Sequence, residues 1–330
     1  MDGMTLPAGA PIDTDATLVS IRDLAVDFDG IPALRGVDLT IARGEAVGLV
    51  GESGCGKSVT WLAALGLLPP TARISGSARL GAIELLGAPM ETLDRVRGGR
   101  VAMIFQDPTS ALNPVRRVGT QVREALTLHR GMTGGASLAE ARRLFDLVAI
   151  PDAARRMDSY PHELSGGQNQ RVMIAMALAG EPELLIADEP TTALDTTIQA
   201  QILDLLRDIQ RATGMALVLI SHDLGVVAEI CSRVTVMYAG RIVEQAPSAQ
   251  LFSAPAHPYT LGLMGALPDL TGPRRRLTAI PGGLPEPWSM PPGCAFAPRC
   301  DLAGPDCDAA QPTFRTVGFE HRAACLRIPG

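Results

Sequence analysis

The sequence predicts an α/β protein. It has a parallel sheet with helices, an antiparallel β layer, an inserted helical subdomain and an irregular C-terminal extension. Three observations carry that expectation. The short apolar runs "AVGLV" (46–50), "LLIAD" (184–188) and "ALVLIS" (216–221) have the length and composition of buried strands. Segments of helical periodicity alternate with them, the clearest being "TTIQAQILDLLRDIQRATG" between the last two. Beyond about residue 250 the periodicity fades into Pro- and Gly-rich stretches such as "SAPAHPYT" and "IPGGLPEPWSMPPGC".

Taken in order, the chain opens on "MDGMTLPAGAPIDTDA". This start has neither a basic end nor an apolar block, so it reads as a disordered lead over 1–16 and not as a signal peptide. "LVSIRDLAVDFDG" and "VDLTIARGEAVGLV" alternate apolar and polar residues, as strands of an antiparallel layer that ends in the buried strand 46–50. A Gly-rich turn leads into the apolar helix "KSVTWLAALGLL". From about 108 to 165 the pattern is helical and charged, as in "SLAEARRLFDLVAI", and marks the inserted subdomain. The body therefore spans 17–250 and the extension 251–330. "RRR" at 274–276 reads as a solvated charge run.

The totals narrow the function. With 46% hydrophobic residues among 330, the chain has ample material for a core. A formal net charge of −6 gives no electrostatic footprint for nucleic acid. The strongest apolar stretch, "MALVLI" (215–220), is far too short to cross a bilayer, so a cytosolic chain that meets a membrane only through partners is expected.

"GESGCGKS", Gly51 to Ser58, sits between a buried strand and a helix and fits the phosphate-loop pattern. Its glycines let the backbone curl so that several N–H groups point at one phosphate. Lys57 brings a mobile positive charge to the β- and γ-phosphates, Ser58 a hydroxyl for Mg²⁺, and the helix N-terminus a partial positive charge. "LLIADEP" supplies the partner carboxylates. Asp188, at the strand's C-terminal edge, can hold Mg²⁺ through water. Glu189, one residue on, can orient or deprotonate an attacking water. Gln106 after "VAMIF" and His222 after "ALVLIS" fall at strand tips, where ligands of open α/β sheets collect.

Four of the six cysteines, Cys294, Cys300, Cys307 and Cys325, fall in the last 37 residues. In a reducing compartment such clustering points to a metal more than to disulfides. The spacings of five, six and seventeen intervening residues lack the C-x₂₋₄-C start usual for zinc. Four thiolates suit a [4Fe–4S] cluster, with Zn²⁺ or no metal as the alternatives. Cys55 and Cys231 read as space-filling, and His321 as unneeded beside four cysteines.

"LSGGQ" (Leu164, Ser165, Gly166, Gly167, Gln168) precedes a helix. With the phosphate loop and "LLIADE" in that order, residues 17–250 closely resemble the ABC-type ATPase family. The resemblance implies an ATP hydrolase. ATP would be bound by Gly51, Glu52, Ser53, Gly54, Cys55, Gly56, Lys57, Ser58 and Val59, with Phe28 stacking on adenine. Mg²⁺ would be held by Ser58, Gln106 and Asp188. Glu189 and His222 would be catalytic, and "ALD" (193–195) would form the D-loop with Asp195. "LSGGQ" would close the ATP of a second subunit facing head to tail. Asn169 stands where the family often has a basic residue.

"FQDPTSALNP", "ALDTTIQAQIL" and "HPYT" resemble the peptide-importer branch (oligopeptide, dipeptide or nickel). The tail resembles the cluster-binding extension seen in some of its members. The branch implies a non-identical ATPase partner, two membrane-spanning permease subunits and an extracytoplasmic binding protein. The chain would lie peripherally on the cytoplasmic face of the inner membrane. Nickel, glutathione or opine-like cargo is the alternative to di- or oligopeptides. A soluble ABC ATPase acting on ribosomes or DNA is the competing class, disfavoured by a single signature motif and an acidic surface. A non-catalytic regulatory subunit is disfavoured by the intact Glu189 and His222.

Overall fold

Two sheets organise the chain. The computed structural model describes residues 16–107, 111–192, 194–266 and 279–328. The lead up to residue 15, Ala193 of "ALD" and the basic run at 274–276 lie outside the described residues. The smaller sheet is antiparallel, in the order β2-β1-β4-β5, with β1 Thr17–Phe28, β2 Ile31–Ala42, β4 Ala72–Leu80 and β5 Ile83–Glu84. Val19, Ile21, Leu24 and Val26 of β1 are buried, the alternation being shifted by one residue where the pairing is irregular between Ile21 and Leu24, and Leu18 is buried beside them.

The larger sheet runs β11-β12-β10-β9-β3-β8-β7-β6. Five of its strands, from one edge inward, are parallel: β6 Val101–Ile104, β7 Leu184–Asp188, β8 Ala216–Ser221, β3 Ala46–Val50 and β9 Arg233–Tyr238. All five residues of β3 are buried, as are all of β7 and β8. This corrects one expectation. The run 46–50 does not close the antiparallel layer but lies between β8 and β9, because an unbroken apolar run needs cover on both faces.

Both covers are visible as separate cores. Val47, Leu49, Ile186, Val218 and Ile220 face the antiparallel sheet and helix α1 (Lys57–Ala64). Leu185, Ala187, Leu217, Leu219 and Val236 face the helical side. Helix α2 (Met90–Val96) follows the small sheet. Four helices separate β6 from β7: α3 Val118–Arg130, α4 Gly134–Leu147 and the short α5 Ala153–Arg156 within the expected 108–165 insertion, and α6 Gly166–Leu178 after it. Val122, Leu126, Leu144, Phe145 and Val172 are fully buried among them. Helices α7 (Thr196–Thr213) and α8 (Leu224–Ile230) link the later strands. Each is N-capped by an aspartate, Asp195 and Asp223.

The extension is more ordered than its composition predicts. After β10 (Arg241–Pro247) come α9 (Ser248–Ser253), α10 (Pro258–Gly265) and α11 (Pro305–Ala309). Two short strands then follow, β11 Arg315–Gly318 and β12 His321–Ala323. Strand β12 pairs antiparallel with β10, Glu244 opposite Ala323. Glu244 is buried, and its carboxylate accepts from the Ala256 and His257 N–H groups at 2.7 and 2.9 Å and meets His321 Nε2 at 2.7 Å. Burial pushes the His257 imidazole down to about 4, against the pull of Glu244. The ring thus stays neutral, and its Nδ1 accepts from the Tyr259 N–H at the start of α10.

Candidate ATP site

The phosphate loop leaves the C-terminal end of β3 and enters α1. Gly51 leaves no room for a side chain: a Cβ there would stand 2.2 Å from the Met237 carbonyl oxygen. Gly56 adopts φ +108° at the N-cap of α1, a conformation costly to any residue with a Cβ. Lys57 is almost fully buried, and its Nζ donates to the carbonyls of Gly51 and Glu52 at 2.8 and 3.0 Å. Burial pushes the Cys55 thiol up despite the nearby Lys57 charge, which suits the space-filling reading.

Two strand tips bring the carboxylates to this loop. Asp188 ends β7 and is buried. Desolvation raises its carboxyl, and a hydrogen bond from Ser58 and the Lys57 charge oppose the rise. Glu189 follows at φ +46°, a strained position for a residue with a side chain. The Glu189 carboxylate is the focus of the site. Its Oε2 accepts from Thr192 Oγ1 at 2.8 Å and Gln106 Nε2 at 3.1 Å, and lies 3.5 Å from His222 Nδ1. Ser53, Gly54, Gly56, Lys57, Ser58, Val59, Gln106, Glu189 and His222 line one cleft of about 390 Å³. The structure thus gathers most of the sequence-predicted site. Phe28, half-buried at the end of β1, stands outside that lining.

Leu164, Ser165, Gly166, Gly167 and Gln168 are elsewhere. Ser165 caps α6 in a reciprocal box: its Oγ accepts from the Gln168 N–H, and Gln168 Oε1 accepts from the Ser165 N–H. A Cβ on Gly167 would stand 2.6 Å from Ile198, so the signature turn packs directly on the start of α7, where Asp195 caps. Asn169 is buried and donates to the Pro161 carbonyl at 2.9 Å, an internal role in place of a surface charge.

The sequence reading missed three residues. Thr192 follows the Asp188–Glu189 pair and could have been found from the hydroxyls of "EPTT". Tyr259 of "HPYT" accepts the Glu52 N–H at 2.8 Å. Arg299 of "CAFAPRC" grips the Glu52 carboxylate. No periodicity or spacing rule reaches across 247 residues to find that last pair.

The tail brings the cysteines into one neighbourhood. The Cys294 N–H donates to the Cys307 carbonyl at 2.7 Å. Burial raises the thiols of Cys294 and Cys300, and the nearby Cys325 and Cys307 raise both further. Among the described residues, however, no group of three or more His, Cys, Asp or Glu is arranged to hold a metal ion. His321 belongs to Glu244. Burial pushes the Cys231 thiol up to about 12, in keeping with a core role.

A curled loop of backbone N–H groups, a buried ammonium, a hydroxyl–carboxylate pair and a clasped glutamate can bind a nucleotide triphosphate with Mg²⁺ and direct a water at its end. The comparisons agree. Residues 34–192 match the family model described as ABC transporter, and residues 243–307 match that of the oligopeptide/dipeptide transporter C-terminal region. A chain of Brucella abortus named as a peptide import ATP-binding protein is 50% identical over 319 residues, 95% of this chain and 96% of that one. The oligopeptide transport ATP-binding protein OppD of Salmonella typhimurium is 48% identical over 299 residues, 89% of each chain.

Among solved structures, cbiO1 of Clostridium perfringens, part of the ABC transporter complex cbiONQ, aligns with TM-score 0.63 and 27% identity. It covers 72% of this chain and 92% of that one. A dimeric ATP-binding cassette bound to ADP and phosphate after hydrolysis aligns with TM-score 0.62 and 28% identity over 70% and 98%. On its phosphate loop with the buried Lys57, its strand-tip carboxylates and these relatives, the chain belongs to the ABC transporter family as an ATP-hydrolysing cassette.

Proposed function

We propose that this cassette powers a peptide importer. ATP bound at Gly51 to Val59 closes a head-to-tail pair of cassettes, and hydrolysis directed by Glu189 reopens it. The observation that carries the reading is the Glu189 carboxylate, held at the mouth of the phosphate-loop cleft by Thr192, Gln106 and His222. In this reading Ser58, Asp188 and Gln106 serve Mg²⁺, Phe28 serves adenine, and Leu164 to Gln168 with Asp195 serve the partner's nucleotide. The signature turn's position on α6, apart from its own chain's cleft lining, supports a composite site. The peptide-import names of the relatives and the C-terminal match favour this cargo class over ribosome or DNA work.

The membrane contact is through permease subunits. Among the described residues no helix is long and apolar enough to cross a bilayer. A cleft of about 360 Å³ lies between Met103 and Phe105 on one side and Ala125, Met173, Met176 and Ala177 of the helical subdomain on the other. Phe105 is 41% exposed there and directly precedes Gln106, so a permease helix seated in this cleft would press on the segment that touches Glu189. A second, non-identical cassette, two permeases and an extracytoplasmic binding protein complete the machine, with this chain on the cytoplasmic face. The assembled complex is expected to show ATPase activity stimulated by peptide-loaded binding protein. Met176→Glu should abolish both co-purification with the permeases and that stimulation, while ATP binding by the chain stays intact. Stimulated activity unchanged in this variant would sink the docking assignment. Nickel stimulation without peptide stimulation would move the cargo.

The four clustered cysteines carry the cofactor reading. A tetrahedral zinc draws its sulfurs to within about 4 Å of one another, as Zn–S bonds of 2.3 Å require. A four-iron cube holds its thiolates further apart. The five-residue gap between Cys294 and Cys300, with no C-x₂₋₄-C pair among the four, suits the wider set better than zinc. Cys294, Cys300, Cys307 and Cys325 would hold it, and it would supply a covalent staple for the tail. Anaerobically purified protein is expected to contain about four irons and four sulfides per chain. The Cys300→Ser, Cys307→Ser double variant should lose them. Zinc without iron would exclude the cluster, and iron retained in the double variant would exclude these ligands.

A further inference from the structure

Two motifs of the extension, "HPYT" and "CAFAPRC", meet at one residue of the phosphate loop. Both terminal guanidinium nitrogens of Arg299 donate to the Glu52 carboxylate, each at 2.8 Å. The Glu52 N–H donates to Tyr259 Oη, also at 2.8 Å. The carbonyl of the same residue accepts from Lys57 Nζ. Glu52 therefore has its side chain and amide committed to the tail and its carbonyl committed to the lysine that faces the phosphates.

This contact is built. The Arg299 side chain is only 7% exposed, and Tyr259 is fully buried. Arg299 also donates to Tyr238 Oη at 3.2 Å and the Pro281 carbonyl at 2.8 Å, so three groups fix its orientation. Phe296, three residues earlier, packs edge-on against Tyr238 at 5.3 Å between ring centres and lies 5.4 Å from Tyr259. Arg299 directly precedes Cys300, so any change in how the cysteine segment is held moves the guanidinium. A two-pronged Arg–carboxylate contact is strongly directional, and a shielded one loses little strength to solvent.

We infer that Arg299 is a positioning residue for ATP: through Glu52 it fixes the phosphate loop and Lys57, so nucleotide affinity depends on the order of the cysteine segment. The inference rests on the reading that ATP binds at Gly51 to Val59. Two sites coupled through one bistable contact change each other's affinity by a common factor, typically 5- to 150-fold. A plain staple holding the tail to the body would instead lower the melting temperature and leave nucleotide affinity alone.

The test is equilibrium binding of Mg-ATP to the full chain, by calorimetry, beside thermal melting. Arg299→Ala is expected to raise the Kd about tenfold. Arg299→Lys should fall between it and the parent, because a point charge cannot make both contacts. The exchanged pair, Glu52→Arg with Arg299→Glu, should recover most of the loss. Cys300→Ser with Cys307→Ser should also raise the Kd in the parent but add little in the Arg299→Ala background. If Arg299→Ala does not fold, Glu52→Gln keeps the shape, removes the charge and should weaken binding in the same direction. Parent affinity in Arg299→Ala or Glu52→Gln, with or without a lower melting temperature, overturns the inference. Full additivity of the cysteine and Arg299 effects overturns the route through Arg299. Parent affinity in Lys57→Ala would instead sink the ATP-site assignment and leave Arg299 as a staple.

Discussion

Glu189→Gln is expected to bind Mg-ATP with parent affinity and to hydrolyse it roughly 10²–10⁴-fold more slowly in the assembled complex. The amide preserves the size of the side chain and its contacts with Thr192 and His222, but it cannot take a proton from water. The phosphate cradle is on different residues, so binding survives. Since opening follows hydrolysis in the proposed cycle, the variant should accumulate as a closed, ATP-loaded pair. Single-turnover hydrolysis and size-exclusion chromatography with ATP read the two effects separately. Hydrolysis at the parent rate would remove Glu189 from its role.

Lys57→Ala should fail one step earlier. The Lys57 ammonium is buried at the base of the loop and is the one charge of "GESGCGKS" that complements phosphate. Without it, Mg-ATP affinity is expected to fall by a factor of about 100, consistent with losing one shielded charge-assisted contact. The fold should persist, because Nζ bonds only within its own loop, to the Gly51 and Glu52 carbonyls and Cys55 Sγ. Calorimetric titration of the purified chain gives the affinity. A parent-like Kd would place the nucleotide elsewhere.

Much of the candidate ATP site was legible because its chemistry is local. A strand, a Gly-rich turn and a Lys-Ser pair are contiguous, and the carboxylates follow directly on an apolar strand. The parallel sheet was legible for a related reason: runs such as "LLIAD" have no polar face and so need cover on both sides. What stayed hidden depends on pairing across long sequence separations. Strand β3 was placed in the wrong sheet because apolar content states that a strand is buried and not which neighbours bury it. Strand β12 is three residues long, too short for any alternation to register, and exists because β10 offers it an edge. Arg299 read as an ordinary basic residue among prolines, since only the fold brings it to Glu52.

The short strand β12 also decides whether the cassette can exist without its extension. Glu244 of β10 takes all three of its recorded side-chain contacts from beyond residue 250: Ala256, His257 and His321. Cutting the chain at the end of the ATPase body strands a buried carboxylate without a partner and bares the backbone of β10 at the edge of the six strands that remain. A naked edge of that kind recruits other copies of itself. In the intact chain the outermost strand on this side is β11, four residues long, largely exposed and opened by Arg315, a poor template for addition. The extension is thus the part of the molecule that guards it against aggregation, and an isolated ATPase body trimmed to the family's common core would be expected in inclusion bodies.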